Sequence, residues 1–247
     1  MIHTRQSKLI NIIRVLLSVH DESCWKTNIL YFQCRKKAFS NHVTKMKKYS
    51  NLICTSPEMI ESFQQDYEKA TGDTLSVSTE YLKEASSVIH FCIDDEIVAG
   101  FVINGNTENL RYLSNGVLGE EDKLRVLENN DIQLSSVCEI TCLYSKRKLK
   151  GIERVIYYAS LLYYLWKMMN KEKKSILLGG SYIKGIRKAQ KQVLSTTLWT
   201  YFINNRKGKR VFVEIYCGIV NPKFYTKVGL ILVANLFTVF FKKNNFT

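Results

Sequence analysis

The sequence predicts an α/β protein built on a mixed sheet with helices on both faces. Three observations point there. Residues 88–103 read as a β-hairpin, because two apolar runs flank the acidic turn Asp94-Asp95-Glu96. The β-rich run Val137 to Tyr144 leads through a basic loop into a long helix, whose Ile152, Val155, Ile156, Ala159, Leu162, Tyr163 and Trp166 recur at three and four residues. A second strong strand, Val211 to Val220, stands late in the chain. Hairpin neighbours together with one long crossover helix require a sheet of mixed direction.

The elements follow in order. Asn51 to Thr55 is a short apolar strand. Ser56-Pro57-Glu58 starts a helix, since Ser is a preferred N-cap, Pro fits the first turn and an acid suits the positive helix end. That helix carries Met59, Ile60, Phe63 and Tyr67 on one face and stops near Thr71-Gly72; a second spans Thr79 to Ala85. Asn104-Gly105 ends the hairpin. The stretch 106–135 is polar and reads as a connection, with a helix across Glu120 to Glu128.

The back half is read as follows. Ser175 to Leu178 is a candidate strand ending at Gly179-Gly180, and a basic amphipathic helix spans Ile186 to Asn204. Lys207-Gly208-Lys209 turns the chain into Val211 to Val220. Asn221-Pro222 opens a short helix that stops at Gly229, and Leu230 to Phe241 supplies one strand or a tight pair. Residues 1–48 form a basic N-terminal helical extension. Residues 49–247 form one domain, with 171–210 as an inserted basic helical segment.

Composition excludes several classes. Of 247 residues 46% are apolar and 23% charged, which rules out wholesale disorder. The seven cysteines show no CxxC and no histidine at zinc spacing, so neither a disulfide scaffold nor a structural metal is expected. A reducing, cytoplasmic setting follows as the expectation. The apolar run Leu9 to Val19 is broken by Asn11, Arg14 and Ser18 and is too short for a membrane span. Arg14 and the lack of a small-x-small cleavage site also argue against a signal peptide.

The net charge of +14 is localised: residues 1–50 carry +8 and residues 171–210 carry +10, which leaves −4 on the remainder. Such clustering suits a surface for an acidic partner; a solvated basic face is the alternative. The chain lacks the interleaved aromatic and basic residues of an RNA-binding signature, so nucleic acid is not the expected partner.

Three constellations can carry chemistry. The loop Lys146-Arg147-Lys148-Leu149-Lys150-Gly151 opens the long helix, where free N–H groups and the helix dipole favour phosphate. An ordinary basic helix cap would look the same. Asn221 caps a helix that carries Tyr225 one turn in, where a phenol can donate a proton or simply pack. Glu139 lies in an otherwise apolar strand. It is either solvent-facing or buried with a raised pKa suited to a general base.

Together these features resemble the GNAT superfamily of N-acyltransferases over residues 49–247. The element order is similar, and Lys148-Leu149-Lys150-Gly151-Ile152-Glu153 falls where that family has its Q/R-x-x-G-x-G/A pyrophosphate motif. Asn221 through Gly229 is similar to a second family signature, and Glu139 stands where many members carry their base. Lys148 replaces Gln or Arg, and Glu153 stands where Gly or Ala is usual; Glu153 either points away or alters the cofactor grip.

The resemblance implies transfer of an acyl group from acyl-CoA or an acylated phosphopantetheine carrier protein to a small-molecule or peptide amine. No metal is involved. Pantetheine would lie between splayed strands near Leu143 and Tyr144, with Lys146, Arg147, Lys148, Lys150, Gly151, Ile152 and Asn221 around the donor. Glu139 would act as base and Tyr225 as acid. Splaying is expected between the strands ending at Tyr144 and Val220; an alternative alignment makes Ser175–Leu178 the fifth strand. An acidic carrier protein would dock on the basic segments. The helix Thr4 to Val19 would pack on the domain, line an acyl pocket, form a dimer contact or contact an anionic membrane peripherally. The competing reading is a catalytically degenerate GNAT fold that binds RNA, an anionic membrane or a carrier protein.

Overall fold

The computed structural model describes residues 47–241, apart from 73–74, 114–119 and 206. The expected N-terminal helix from Thr4 to Val19 lies outside the described residues. The described chain runs β1 (Tyr49–Ile53), α1 (Pro57–Ala70), α2 (Thr79–Glu84), β2 (Ser87–Ile93), β3 (Glu96–Asn104), α3 (Glu120–Glu128), β4 (Val137–Ser145), α4 (Ile152–Glu172), β5 (Ile176–Ser181), α5 (Lys184–Lys191), β6 (Thr196–Asn204), β7 (Arg210–Ile219) and α6 (Pro222–Phe241).

Local signals place the front half. The Ser56 hydroxyl accepts the Met59 N–H and Pro57 takes the first turn, so α1 begins where the cap dictates. Gly72, at φ +64°, follows its end. The β2–β3 turn puts Asp94 and Asp95 at φ +53° and +66°, the positive-φ pair that keeps a two-residue hairpin turn in step with strand twist.

The seven strands form one mixed sheet in the order β1-β2-β3-β4-β5-β7-β6. All neighbours are antiparallel except β4 and β5, which run parallel on either side of the crossover helix α4. Alternate strand residues face opposite sides of the sheet. Ile89, Phe101, Ile103, Cys138 and Ile140 pack with α4 and the start of α6 on one face. Val88, Val102, Cys142 and Tyr144 pack with α1 and α2 on the other. The mixed α/β architecture is therefore the one the sequence predicts.

The back half differs in four respects. Residues 171–210, expected as an inserted helical segment, hold one eight-residue helix and supply β5 and β6 to the sheet. Thr196 to Asn204 is a strand because β7 offers it a full antiparallel partner, which overrides the helix-like spacing of Leu194, Leu198, Trp199 and Phe202. The neighbour of β4 is β5, not Val211–Val220, because α4 returns the chain directly to the open edge of β4. Finally, Leu230 to Phe241 continues α6 rather than forming a strand. Gly229 does not stop that helix, and nothing crowds the space beside it.

Candidate active site

The site grows from an irregularity in β4. Thr141 stands opposite Val102 and Tyr144 opposite Gly100, so Cys142 and Leu143 together face the single residue Phe101. This is a β-bulge, with Cys142 held at φ +50°. A non-glycine residue at positive φ costs roughly 1–3 kcal/mol and persists only where its surroundings enforce it. Part of that enforcement is visible: Arg111 Nη1 lies 2.8 Å from Cys142 Sγ, and its Nη2 donates to the Ser76 carbonyl at 2.7 Å.

Just before the bulge, the sheet forks. Pairing of β4 with β5 runs from Val137–Ile176 to Ile140–Gly179 and stops, although β4 continues to Ser145 and β5 to Ser181. The Tyr112 hydroxyl sits in the fork, 3.2 Å from the Ile140 carbonyl and 2.9 Å from that of Gly180. It thus meets one carbonyl from each strand where their pairing ends. A side chain at Gly180 would strike Ile215 and come within 2.9 Å of the Tyr112 ring, so the close approach requires glycine.

The fork opens on its α4 side into a cavity of about 800 Å³. Leu143 and Tyr144 stand at the bulge end. Leu161 and Leu165 of α4, Leu177 of β5, Ala189 of α5, and Val228 and Leu232 of α6 form apolar walls. Lys148, Arg154 and Lys188 are its cationic lining.

Glu139 is fully buried on the opposite face of β4 from this cavity. Its Oε1 accepts from the Tyr81 hydroxyl (2.9 Å), the Arg111 N–H (2.7 Å) and Asn104 Nδ2 (3.4 Å); its Oε2 accepts from the Tyr112 N–H (3.1 Å). Burial pushes its pKa above the ordinary carboxylate range, while the Arg111, Tyr112 and Tyr81 donors draw it back. The Tyr81 hydroxyl also contacts Thr141 Oγ1 at 2.7 Å, which extends the polar chain from Glu139 toward the bulge.

The basic loop is arranged differently from a row of free cations. Lys146 pairs with Asp66 of α1 at 2.8 Å. Arg147 forks onto Glu153, with Nη1 2.7 Å from Oε2 and Nη2 3.2 Å from Oε1, and Lys47 Nζ is 2.6 Å from Oε1. Lys150 offers its backbone N–H to the same carboxylate at 3.5 Å. Those partners, led by the Arg147 guanidinium, hold Glu153 down at a pKa of about 2. Gly151 caps α4 at φ +53°, and Ile152 begins the helix half-buried against the main core. Glu153 therefore points into the loop.

Asn221 and Tyr225 lie elsewhere. Asn221 Oδ1 accepts the Phe224 N–H at 3.0 Å and caps α6. Tyr225 packs half-buried in the α4-side core, near Cys138 at the paired end of β4, and burial raises its pKa. It is not among the residues lining the cavity, whereas its neighbour Phe224 is. Cys138 precedes the bulge by four residues, roughly 13 Å along a strand. The structure brings neither Asn221 nor Tyr225 to the fork, and it separates Tyr225 from Glu139 across the sheet. The strand expected to lead into them, β7, pairs with β5, and the Val220 N–H meets the Ser175 carbonyl.

Two groups at the centre went unnoticed in the sequence. Arg111 and Tyr112 lie in a short 3₁₀ turn within the stretch read as a connection. Tyr182 lines the cavity directly after β5. Its signal was available, since an apolar run ending in Gly179-Gly180 and followed by an aromatic hydroxyl marks the strand end of the alternative alignment.

No family model matches the sequence, and no curated protein does. Solved structures match in fold. FeeM, an N-acyl amino acid synthase from uncultured soil microbes, aligns over 69% of this chain and 91% of its own, at 8% identity and a TM-score of 0.50. The AHL synthase LasI aligns over 74% and 94%, at 10% identity and 0.48. An N-acetyltransferase from Staphylococcus aureus Mu50 aligns over 70% and 99%, at 12% identity and 0.44. The fold of the chain is GNAT-like.

Proposed function

We propose that the protein is an N-acyltransferase that moves a long acyl group from a pantetheine thioester to an amine. One observation carries the reading: the β4–β5 fork opens beside a strained bulge into a large apolar cavity. Unpaired strand edges suit the amide groups of a pantetheine arm. Backbone N–H groups at Cys142 and Leu143 suit the oxyanion that forms as the amine attacks the thioester carbonyl. The cavity lies within the range of about 300–1,000 Å³ that holds whole ligands, and an acetyl group would leave most of it empty. FeeM is named for chemistry of the same class.

In this reading Glu139, through Tyr81 and water, takes the amine proton; its raised pKa is the property a base near neutral pH requires. The departing thiolate takes a proton from a hydroxyl, and Tyr182 at the fork is better placed than Tyr225. The donor is acyl-CoA or an acylated carrier protein, and the acceptor a small-molecule or peptide amine. Mass spectrometry after incubation with short- and long-chain acyl-CoA and acyl-carrier protein, in a mixture of amines, tests this. Transfer from long-chain donors is expected, and no bound or transferred acyl group from any donor would refute it.

The basic charge concentrated in residues 171–210 favours the second reading, a binding module for an acidic partner. Salt-dependent binding to RNA or anionic vesicles, without affinity for acyl donors, would select it.

A further inference from the structure

Glu153 contradicts the basic loop that it faces. Its surroundings have the makings of a phosphate site: a glycine cap at positive φ, the first turn of a 21-residue helix, a backbone N–H, a guanidinium and an ammonium. Each named polar donor is turned onto one carboxylate. Glu153 is the second residue of α4, its side chain is 9% exposed, and it receives Arg147 through both guanidinium nitrogens. The Glu153 carboxylate takes the donors that a phosphate would use.

We propose that Glu153 is the chain's own anion in the place of a nucleotide diphosphate, and that it selects a donor whose pantetheine ends in a single phosphodiester on a carrier protein. The inference rests on the acyl-transfer reading and deepens it. In the family that the sequence resembles, a nucleotide donor brings its diphosphate to this loop. It would have to expel Glu153 from Arg147 and Lys47 or lie beside its negative charge. A phosphopantetheine arm brings one phosphate charge, which needs only cations at the cavity mouth. Lys148, Arg154 and Lys188 line the cavity, and among the described residues none of them is in an ion pair. The carrier then supplies its own contacts, and an acidic one complements the Lys- and Arg-rich 171–210 segment.

Calorimetric titration of the full-length chain with CoA and with 4′-phosphopantetheine tests the inference without relying on turnover. Glu153→Gln and Glu153→Ala should each bind CoA at least about tenfold more tightly than the wild type. Affinity for 4′-phosphopantetheine should change by less than about threefold. Arg147→Ala should not gain CoA affinity, because it removes a cation and leaves the Glu153 carboxylate in place. A wild type that binds CoA as tightly as both Glu153 variants would overturn the inference, as would variants that bind it no better or more weakly. Thermal melts establish that each variant is folded, and the Gln and Ala changes serve as independent replicates. Should both variants gain CoA while no acyl donor reacts with any form, the selectivity stands and the enzymatic reading falls.

Discussion

The fork makes the most direct prediction, through Tyr112→Phe. The change removes one oxygen and nothing else, and leaves the Tyr112 N–H on Glu139 Oε2 in place. What is lost is a hydroxyl lying 3.2 Å and 2.9 Å from two strand carbonyls. An ordinary hydrogen bond contributes a net of about 1 kcal/mol, and a buried acceptor left unmet raises the cost to about 3 kcal/mol. Water entering the fork would hold the loss near the lower figure. A chain of this size shifts its melting temperature by roughly 2–4 °C per kcal/mol, so the drop should be about 2–12 °C. Calorimetry gives the drop, and amide exchange locates it: protection should fall at residues 137–140 and 176–179, the paired stem of the fork. A melting temperature within about 1 °C of wild type, with unchanged exchange in the stem, would show that the hydroxyl does not hold the fork.

Other expectations follow from the same geometry. Glu139→Gln puts an amide nitrogen among donors and should destabilise by about 1.5–3 kcal/mol in thermal melts. Because burial raises the Glu139 pKa in the fold, its contribution is fullest below the ordinary value of 4.5 and declines as pH rises, so the wild-type advantage over Glu139→Gln should narrow with rising pH. A gap that widens instead would mean that the four donors outweigh burial. Glu153 has the opposite sign: held at about 2, it stabilises the fold above 4.5, and that contribution is lost as pH falls toward 2. Melts of Glu153→Gln should lack that acid-side loss, and an identical acid limb would remove Glu153 from the account. Ala189→Trp, which adds bulk at the cavity's edge, should cut transfer from long-chain donors by tenfold or more and spare short ones; equal losses would place the acyl chain elsewhere. Tyr182→Phe should lower turnover more than Tyr225→Phe, and the reverse order in steady-state rates would return the acid role to Tyr225.

How much of this was readable depends on where the deciding forces act. The front half is set by signals within a few residues: Ser56 before Pro57, the Asp94-Asp95 turn, the regular apolar spacing of α4. The back half is set by partners distant in sequence. Residues 196–204 satisfy a helical spacing and a strand composition at once, and only β7 decides between them. Leu230 to Phe241 is almost uniformly apolar, so it has no period to read, and its backbone continues the helix begun at Pro222. The basic composition of 171–210 suggests an inserted helical segment, yet much of it lies on one short helix and on turns between sheet strands.

The site divides along the same line. Glu139 was conspicuous in sequence because an acid in an apolar strand must be satisfied by something, but nothing near it in sequence indicates what. The answer lies 27 and 28 residues earlier, in the turn Arg111-Tyr112. That turn supplies two N–H groups to Glu139, one hydroxyl to the fork and one guanidinium to Cys142 at the bulge. Base candidate, fork and bulge are therefore held by two adjacent residues. A backbone shift there, as from Arg111→Pro, which also deletes an N–H that Glu139 accepts, must disturb all three together. Changes confined to one side chain, Tyr112→Phe among them, should separate the fork from the carboxylate. The polar stretch that reads as a connection is thus what couples the stability of the sheet to the geometry of the site.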